Sequence, residues 1–275
     1  MAQSLDASKS GALRLRILSA AVLAPLAIAA AWFGGPLLAV VTLLAATLMG
    51  WEWGRLTDRG RFAARGALVM ATEVAGVGVA ALGWPALALG VLAVGAIARV
   101  AWRGSDGNAD LWAGAGTLWI GVACVALLAL DADSATGRSA VLWLFAVVWV
   151  TDSAAYLVGR WAGGPRLAPR WSPKKTWSGA LGGVLAAGLV GAITAKMLGY
   201  SMVSPVMWLS MGLSVAVQAG DLAESAAKRR FGVKDTSGLI PGHGGLLDRL
   251  DGMLAALVLA AILDLARGAS PVMWS

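Results

Sequence analysis

Between Asp221 and Asp251 the chain gathers carboxylates, bases and its single histidine into one short stretch. Asp221 and Glu224 are three residues apart, and so are Asp248 and Asp251. On a helix, that spacing puts both carboxylates of a pair on one face, and Ser225 and Lys228 fall on the same side as the first pair. An ion pair between Asp221 and Lys228, two turns on, is the simpler alternative. From Phe231 to Gly245 no apolar period survives, so this segment reads as a loop between two helices. Gly242, Gly244 and Gly245 flank His243 and leave backbone N–H groups free to approach anionic oxygens. Two carboxylate-bearing helix ends joined by a basic, glycine-rich loop can hold Mg²⁺ against a phosphate chain. Lys228, Arg229, Lys234 and Arg249 are the candidate phosphate contacts, with a solvated charge run as the plainer reading of any one of them. For His243 the choice is a phosphate donor or a loop-ordering hydrogen bond, and its glycine neighbours favour the donor.

A second polar block follows Asp152. Lys174 and Lys175 precede a helix start that Thr176 or Ser178 would cap, and free N–H groups there would suit a nucleotide phosphate. A basic loop on the inner side of a membrane explains the two lysines equally well. Asp152 itself completes the polar site or contacts the base. Among the other acids in apolar runs, Glu52 lies beside Arg55 and reads as half of a helix-surface pair. Asp264 lies close to Arg267 and reads as interfacial. Glu73 is a lone acid without an assigned role. Cys124, the only cysteine, excludes an internal disulfide, and one histidine excludes a multi-histidine metal site, so any metal must be held by oxygen.

These residues need elements to hold them, and the composition says in what solvent. Hydrophobic residues make up 59% of the 275 and charged residues 13%, with a mean hydropathy of +0.75. A soluble domain of this size carries about 25% charged residues, so lipid must surround much of the chain. Nine apolar runs approach the length of a spanning helix: 15–33, 36–54, 66–83, 85–102, 111–130, 140–159, 178–199, 204–227 and 250–267. The fold is therefore expected to be all-α, a polytopic integral membrane protein of about nine transmembrane helices. The 1–275 chain reads as one membrane domain, with N-terminal helices over 1–139 that carry no motif and catalytic helices and loops over 140–275. With the N-terminus inside, 19 of the 22 Lys and Arg residues fall on inner segments, leaving Arg138, Lys196 and Arg267 outside. That asymmetry predicts an N-in, C-out topology. It also accounts for the net charge of +7 without nucleic-acid binding, since the basic residues follow loop side and build no recognition module.

The polar stretches resemble the phosphatidate cytidylyltransferase (CDP-diacylglycerol synthase) family. Ser225, Lys228-Arg229, Lys234-Asp235, Ser237, Ile240-Pro241, His243-Gly244-Gly245, Asp248-Arg249 and Asp251 carry the signature. Asp152-Ser153-Ala154-Ala155-Tyr156, Gly159-Arg160, Leu167-Ala168-Pro169 and Ser172 to Gly179 resemble the family's other stretch. Ala227 stands where the family usually has a bulkier apolar residue, and Ser178 where an acid or amide is expected.

The resemblance implies transfer of the cytidylyl group of CTP to phosphatidate, giving CDP-diacylglycerol and pyrophosphate. It implies Asp221 and Asp248 as central Mg²⁺ ligands, supported by Glu224 and Asp251, with a second cation left open. Asp221, Asp248, Lys228, Arg229, His243 and Arg249 would serve the chemistry. Lys174, Lys175, Thr176, Ser178, Asp152, Lys234, Ser225, Gly244 and Gly245 would bind substrate. The partners implied are CTP, phosphatidate, membrane lipids and a second copy in a homodimer, in a bacterial cytoplasmic membrane with the site on its inner face. A CTP-dependent lipid or polyprenol kinase is the nearest rival, and a cation-coupled transporter the rival from another class.

Overall fold

The computed structural model describes residues 2–102, 107–132 and 136–266. Arg103 and Arg267 of the charge count lie outside this range, and the side chains of Lys9, Arg14, Arg16 and Asp264 are likewise not described. Nine helices occur among the described residues: α1 (Ala2–Phe33), α2 (Gly35–Thr57), α3 (Ala64–Ala81), α4 (Pro85–Ala101), α5 (Gly107–Asp131), α6 (Gly137–Ala162), α7 (Trp177–Met197), α8 (Ser204–Arg230) and α9 (Leu247–Ala266). Each overlaps one of the nine apolar runs, though α1 begins well before the first run, which starts at 15. Prolines in the first turn start α2, α4 and α8, where the missing N–H costs nothing and the fixed φ suits a helix.

Six of them (α2, α3, α5, α6, α7 and α8) are long and apolar enough to cross a bilayer. The apolar part of α1 and the whole of α4 are shorter, at Leu18–Phe33 and Pro85–Ala101. Large apolar side chains such as Val22, Val94, Ile97, Leu185 and Leu189 stand exposed on the outside of the bundle. Such surface is tolerable only against lipid, and the molecule is a polytopic membrane protein.

One element departs from the all-helical expectation. Arg166–Ala168 (β1) and Ser172–Thr176 (β2) pair antiparallel between α6 and α7, with Trp171 N–H donating to the Ala168 carbonyl at 3.2 Å to close the turn. Strands this short, rich in Arg, Lys and Pro, show no alternating apolar pattern, which is why periodicity does not reveal them.

Neighbours in sequence are neighbours in space. Helices α2 to α5 pack as one group and α6 to α9 as another, joined chiefly where α5 meets α9, while α1 lies against α2 and α6. A continuous core runs through both groups and includes Trp53, Ile120, Leu144, Leu213 and Leu254. The indole N–H of Trp53 donates to the carbonyls of Trp112 and Ala113, so this large side chain is buried with its polar atom satisfied.

The alternation of helix directions brings the C-terminal ends of α2, α4, α6 and α8 to one end of the bundle. The N-terminal ends of α3, α5, α7 and α9, the hairpin and the 231–246 loop lie at the same end. There Arg99, one of the 19 inner-segment charges, is 1% exposed. Its guanidinium reaches Asp110 at 2.7 Å and Asp58 at 3.3 Å, and Arg65 reaches the same two acids at 3.4 and 3.3 Å. The four charges tie α3, α4 and α5 to the residue that ends α2, and so fix the platform beside the signature loop.

Candidate active site

Helix α8 carries its chemistry on one face, as the spacing predicts. Glu224 is wholly buried, and Lys228, one turn later, pairs with it. The same ammonium donates to Asp248 Oδ1 at 2.7 Å, so Lys228 bridges α8 to the start of α9. Asp221 does not pair with Lys228. Its Oδ2 meets Lys175 Nζ at 2.6 Å, and its Oδ1 accepts from Ser225 Oγ at 3.4 Å. Lys175 comes from β2, so the unanticipated hairpin is what delivers this lysine to α8.

Asp248 is the most thoroughly engaged acid of the site. Its Oδ2 accepts the N–H of Gly245 at 2.7 Å, the N–H of Thr236 at 2.9 Å and the Thr236 hydroxyl at 3.0 Å. Burial opposes ionisation of this carboxyl at the mouth of α9. The Lys228 ammonium and the Gly245 and Thr236 N–H groups outweigh that and hold it below the usual carboxylate range. Gly244 sits at φ +88°, a left-handed conformation that suits glycine, and a Cβ there would lie 2.9 Å from Asp248 Oδ2. The loop closes on itself through Ile240, whose N–H donates to the Gly244 carbonyl at 2.8 Å.

Asp152 on α6 and Asp251 on α9 both lie within electrostatic reach of Asp221, and Asp251 also of Glu224. Arg249 and Lys175 face Asp152. Five carboxylates from α6, α8 and α9 thus share one patch with Lys175, Lys228 and Arg249. Among the described residues, no three acids, histidines or cysteines converge as a ready-made metal cage.

The remaining candidates stand around this patch. Thr176 is the N-cap of α7, its hydroxyl accepting the Gly179 N–H at 3.2 Å, as the sequence anticipates. That bond uses one of the N–H groups expected to be free. Ser178 turns away to the Gly163 carbonyl and to Thr176. The Lys174 side chain is exposed, while its carbonyl accepts from Arg166 at 3.3 Å. Arg229 is exposed and donates to the Val233 carbonyl at 2.7 Å, and Lys234 lies on the exposed part of the loop. His243 shares a 2.7 Å hydrogen bond between Nδ1 and Ser19 Oγ of α1, and its carbonyl accepts from Arg249 Nε at 3.1 Å.

The reading of Glu52 as half of a surface pair with Arg55 is corrected by the structure. Glu52 is 0% exposed and faces the signature loop, accepting from Ser237, Leu246 and Leu247. Arg55 instead lies over the Trp51 ring, 5.2 Å from its centroid. Nothing within the local spacing of α2 points to partners so distant in sequence. The one available signal is an acid in an otherwise apolar run. The loop segment Asp235–Ser237 also lines a cleft of about 510 Å³ together with Arg55, Arg59 and Arg230.

The patch joins two helix ends through Lys228 and sets Lys175 and Lys228 among its carboxylates. Over 267 aligned residues the chain is 38% identical to the phosphatidate cytidylyltransferase of Brucella suis, covering 90% of this chain and 91% of that protein. The enzyme of the same name from Haemophilus influenzae is 41% identical over 130 residues, 46% of this chain and 45% of its own. That from Staphylococcus haemolyticus is 37% identical over 146 residues, 53% of this chain and 55% of its own. The model of the cytidylyltransferase family matches residues 14–265, nearly the whole chain and every residue of the carboxylate patch, and the chain belongs to that family.

Proposed function

We propose that the chain transfers the cytidylyl group of CTP to phosphatidate, releasing pyrophosphate and leaving CDP-diacylglycerol in the bilayer. The observation that carries this reading is the pairing of α8 and α9 through Lys228, which sets Glu224 and Asp248 on one bridge beside Asp221 and Asp251. Relatives matching nine-tenths of the chain bear the name of that activity.

The chemistry asks little covalent work of the protein. An oxygen of the phosphatidate phosphate bonds to the α-phosphorus of CTP, and the bond from that phosphorus to the bridging oxygen breaks. Pyrophosphate leaves with the electron pair. The attacking oxygen is already anionic, so no general base is required. What is required is alignment of two polyanions and charge neutralisation where the pyrophosphate departs.

Lys175 and Lys228 are the cations set closest against the carboxylates, at 2.6 Å from Asp221 and 2.7 Å from Asp248. Lys175 can turn from Asp221 to an incoming phosphate, while Lys228 presents its charge from the bridge between Glu224 and Asp248. Arg249, held by the His243 carbonyl at the loop's edge, adds a third positive group. The donor set suits a hard divalent cation, because it is all oxygen and its acids outnumber its bases. Mg²⁺ is ordinarily held by one or two carboxylates with the rest of its shell from water and substrate phosphate, so a patch without a three-acid cage fits it. Asp221 and Asp248 would hold it, with Glu224 and Asp251 in support. When bound, it neutralises charge on the α-phosphate and the departing pyrophosphate.

The patch lies at the end of the bundle where the basic segments gather, which by the charge asymmetry is the cytoplasmic face of a bacterial membrane. CTP reaches it from the cytosol and phosphatidate from the inner leaflet. The test is a detergent-micelle assay with phosphatidate, Mg²⁺ and CTP labelled in turn at the α- and γ-phosphorus. Lipid labelled only from the α position, with pyrophosphate released, is the expected result. Lipid labelled only from the γ position would make the protein a kinase and overturn the reading.

A further inference from the structure

We propose that Glu52, far from the signature in sequence, is a positioning residue that locks the signature loop and so sets the orientation of Asp248. The inference rests on the reading of Asp248 as a central carboxylate of the site.

Glu52 is an acid the reaction does not use, yet both of its oxygens are hydrogen-bonded. Its Oε1 accepts the Ser237 hydroxyl at 2.5 Å and the Leu246 N–H at 2.9 Å. Its Oε2 accepts the Leu247 N–H at 2.7 Å and lies 3.4 Å from the Thr236 hydroxyl. Leu247 is the first residue of α9, so the two N–H groups belong to the unsatisfied donors of a helix start. The residue before it, Leu246, has no side-chain acceptor with which to cap the helix. A carboxylate from α2 does this instead, with its negative charge at the positive end of the helix dipole. Its burial at 0% exposure means that α2 places this carboxylate for α9 and the loop, and not for water.

The same two loop segments hold Asp248. Thr236 and Gly245 donate to Asp248 Oδ2, while their chain neighbours Ser237 and Leu246 donate to Glu52 Oε1. The Thr236 hydroxyl sits between the two acids, closer to Asp248 at 3.0 Å than to Glu52 at 3.4 Å. Glu52 and Asp248 therefore grip opposite sides of one hydrogen-bonded clasp. Gly245 is part of it: a Cβ there would lie 2.1 Å from Thr236 Oγ1 and 2.6 Å from Glu52 Oε1. Glycine at this position is thus explained by the close approach of Thr236 and Glu52, the two side chains of the clasp. If Glu52 lets go, Ser237 and the start of α9 lose their acceptor, and the donors that aim Asp248 are no longer held in register.

The test uses the full chain in micelles with three variants: Glu52→Gln, Ser237→Ala and Asp248→Asn. Glutamine keeps the size but points an NH₂ at groups that are already donors. Hydrogen exchange measured by mass spectrometry reads the clasp without any turnover. In the unaltered protein the Leu246 and Leu247 amides should be protected. In Glu52→Gln, peptides spanning 236–248 should exchange at least tenfold faster while those of α3 and α5 keep their rates. The Mg²⁺ concentration for half-maximal rate should rise at least fivefold and kcat fall at least tenfold, with KM for CTP changed less than threefold. Ser237→Ala removes one donor and should shift the same quantities in the same direction by a smaller factor. It also provides the readout if Glu52→Gln does not fold.

Rapid exchange of Leu246 and Leu247 in the unaltered protein would overturn the proposal. So would faster loop exchange in both variants with kcat and Mg²⁺ dependence unchanged, since the clasp would then be structural only. Full activity in Asp248→Asn, alongside a loosened loop in Glu52→Gln, would overturn the positioning role through failure of the Asp248 reading, which the exchange data alone separate from failure of the clasp.

Discussion

Lys228 carries two acids at once, and removing it should separate stability from chemistry. Its side chain is 11% exposed and its partner Glu224 0%. In Lys228→Met the apolar stem is kept and the charge is lost. Asp248 retains the Thr236 and Gly245 donors, so the penalty concentrates on Glu224, left buried without a cation beside it. Breaking a buried pair from one side costs about 3–5 kcal/mol, and the donors left to Asp248 argue for the lower end, about 3 kcal/mol. For a chain of this size that corresponds to a fall of about 6–12 °C in the thermal midpoint. Lys228→Met with Glu224→Gln removes the orphaned acid and should recover most of the midpoint, while transfer of label from CTP stays lost. The assay is a thermal unfolding series in one detergent, with single-turnover rates on the same samples. A midpoint unchanged in Lys228→Met, or not restored by adding Glu224→Gln, would refute the bridge.

Other expectations follow from the same geometry. Arg99→Ala removes the buried cation that Asp58 and Asp110 share, leaving the partly exposed Arg65 beside them, and should lower stability by about 3 kcal/mol or more, read as an earlier thermal midpoint with KM for CTP unchanged. Thr176→Ala removes the N-cap of α7 and should cost about 1 kcal/mol, measured by the same unfolding series. Lys175→Ala should lower affinity for CTP more than it lowers stability, because the Lys175–Asp221 pair is about 30% exposed on both sides and exposed pairs contribute little; equilibrium binding of labelled CTP checks it. Glu73 is buried between α2 and α5 with neither oxygen hydrogen-bonded among the described residues, and Glu73→Gln should leave kcat and KM within about twofold, since the reaction patch lies elsewhere.

The sequence made the helices legible because membrane spans announce themselves by length and apolarity, and all nine runs became helices. It made α8 legible for a local reason: Glu224 and Lys228 are one turn apart, so helical periodicity alone aligns them. Thr176 as a cap is equally local. What periodicity cannot carry is a partner at long range. The Glu52 clasp spans 185 and 195 residues of chain to Ser237 and Leu247, and the local pairing with Arg55 was a reasonable but wrong competitor. Arg99 shows the same limit, since its place in the last turn of α4 marks an inner-side charge and only the fold brings Asp58 and Asp110 around it. The hairpin was missed because its strands are short and charged, and with it the reason that Lys175, and not Lys228, meets Asp221.

The central claim is that the facing carboxylates of α8 and α9 carry cytidylyl transfer. Asp221→Asn and Asp248→Asn keep the side-chain shape and remove one charge each. Single-turnover transfer of α-label from CTP to phosphatidate should fall in each by a factor on the order of 10²–10³, in preparations whose thermal midpoint shows them folded. Either variant transferring label within threefold of the unaltered rate would contradict the account.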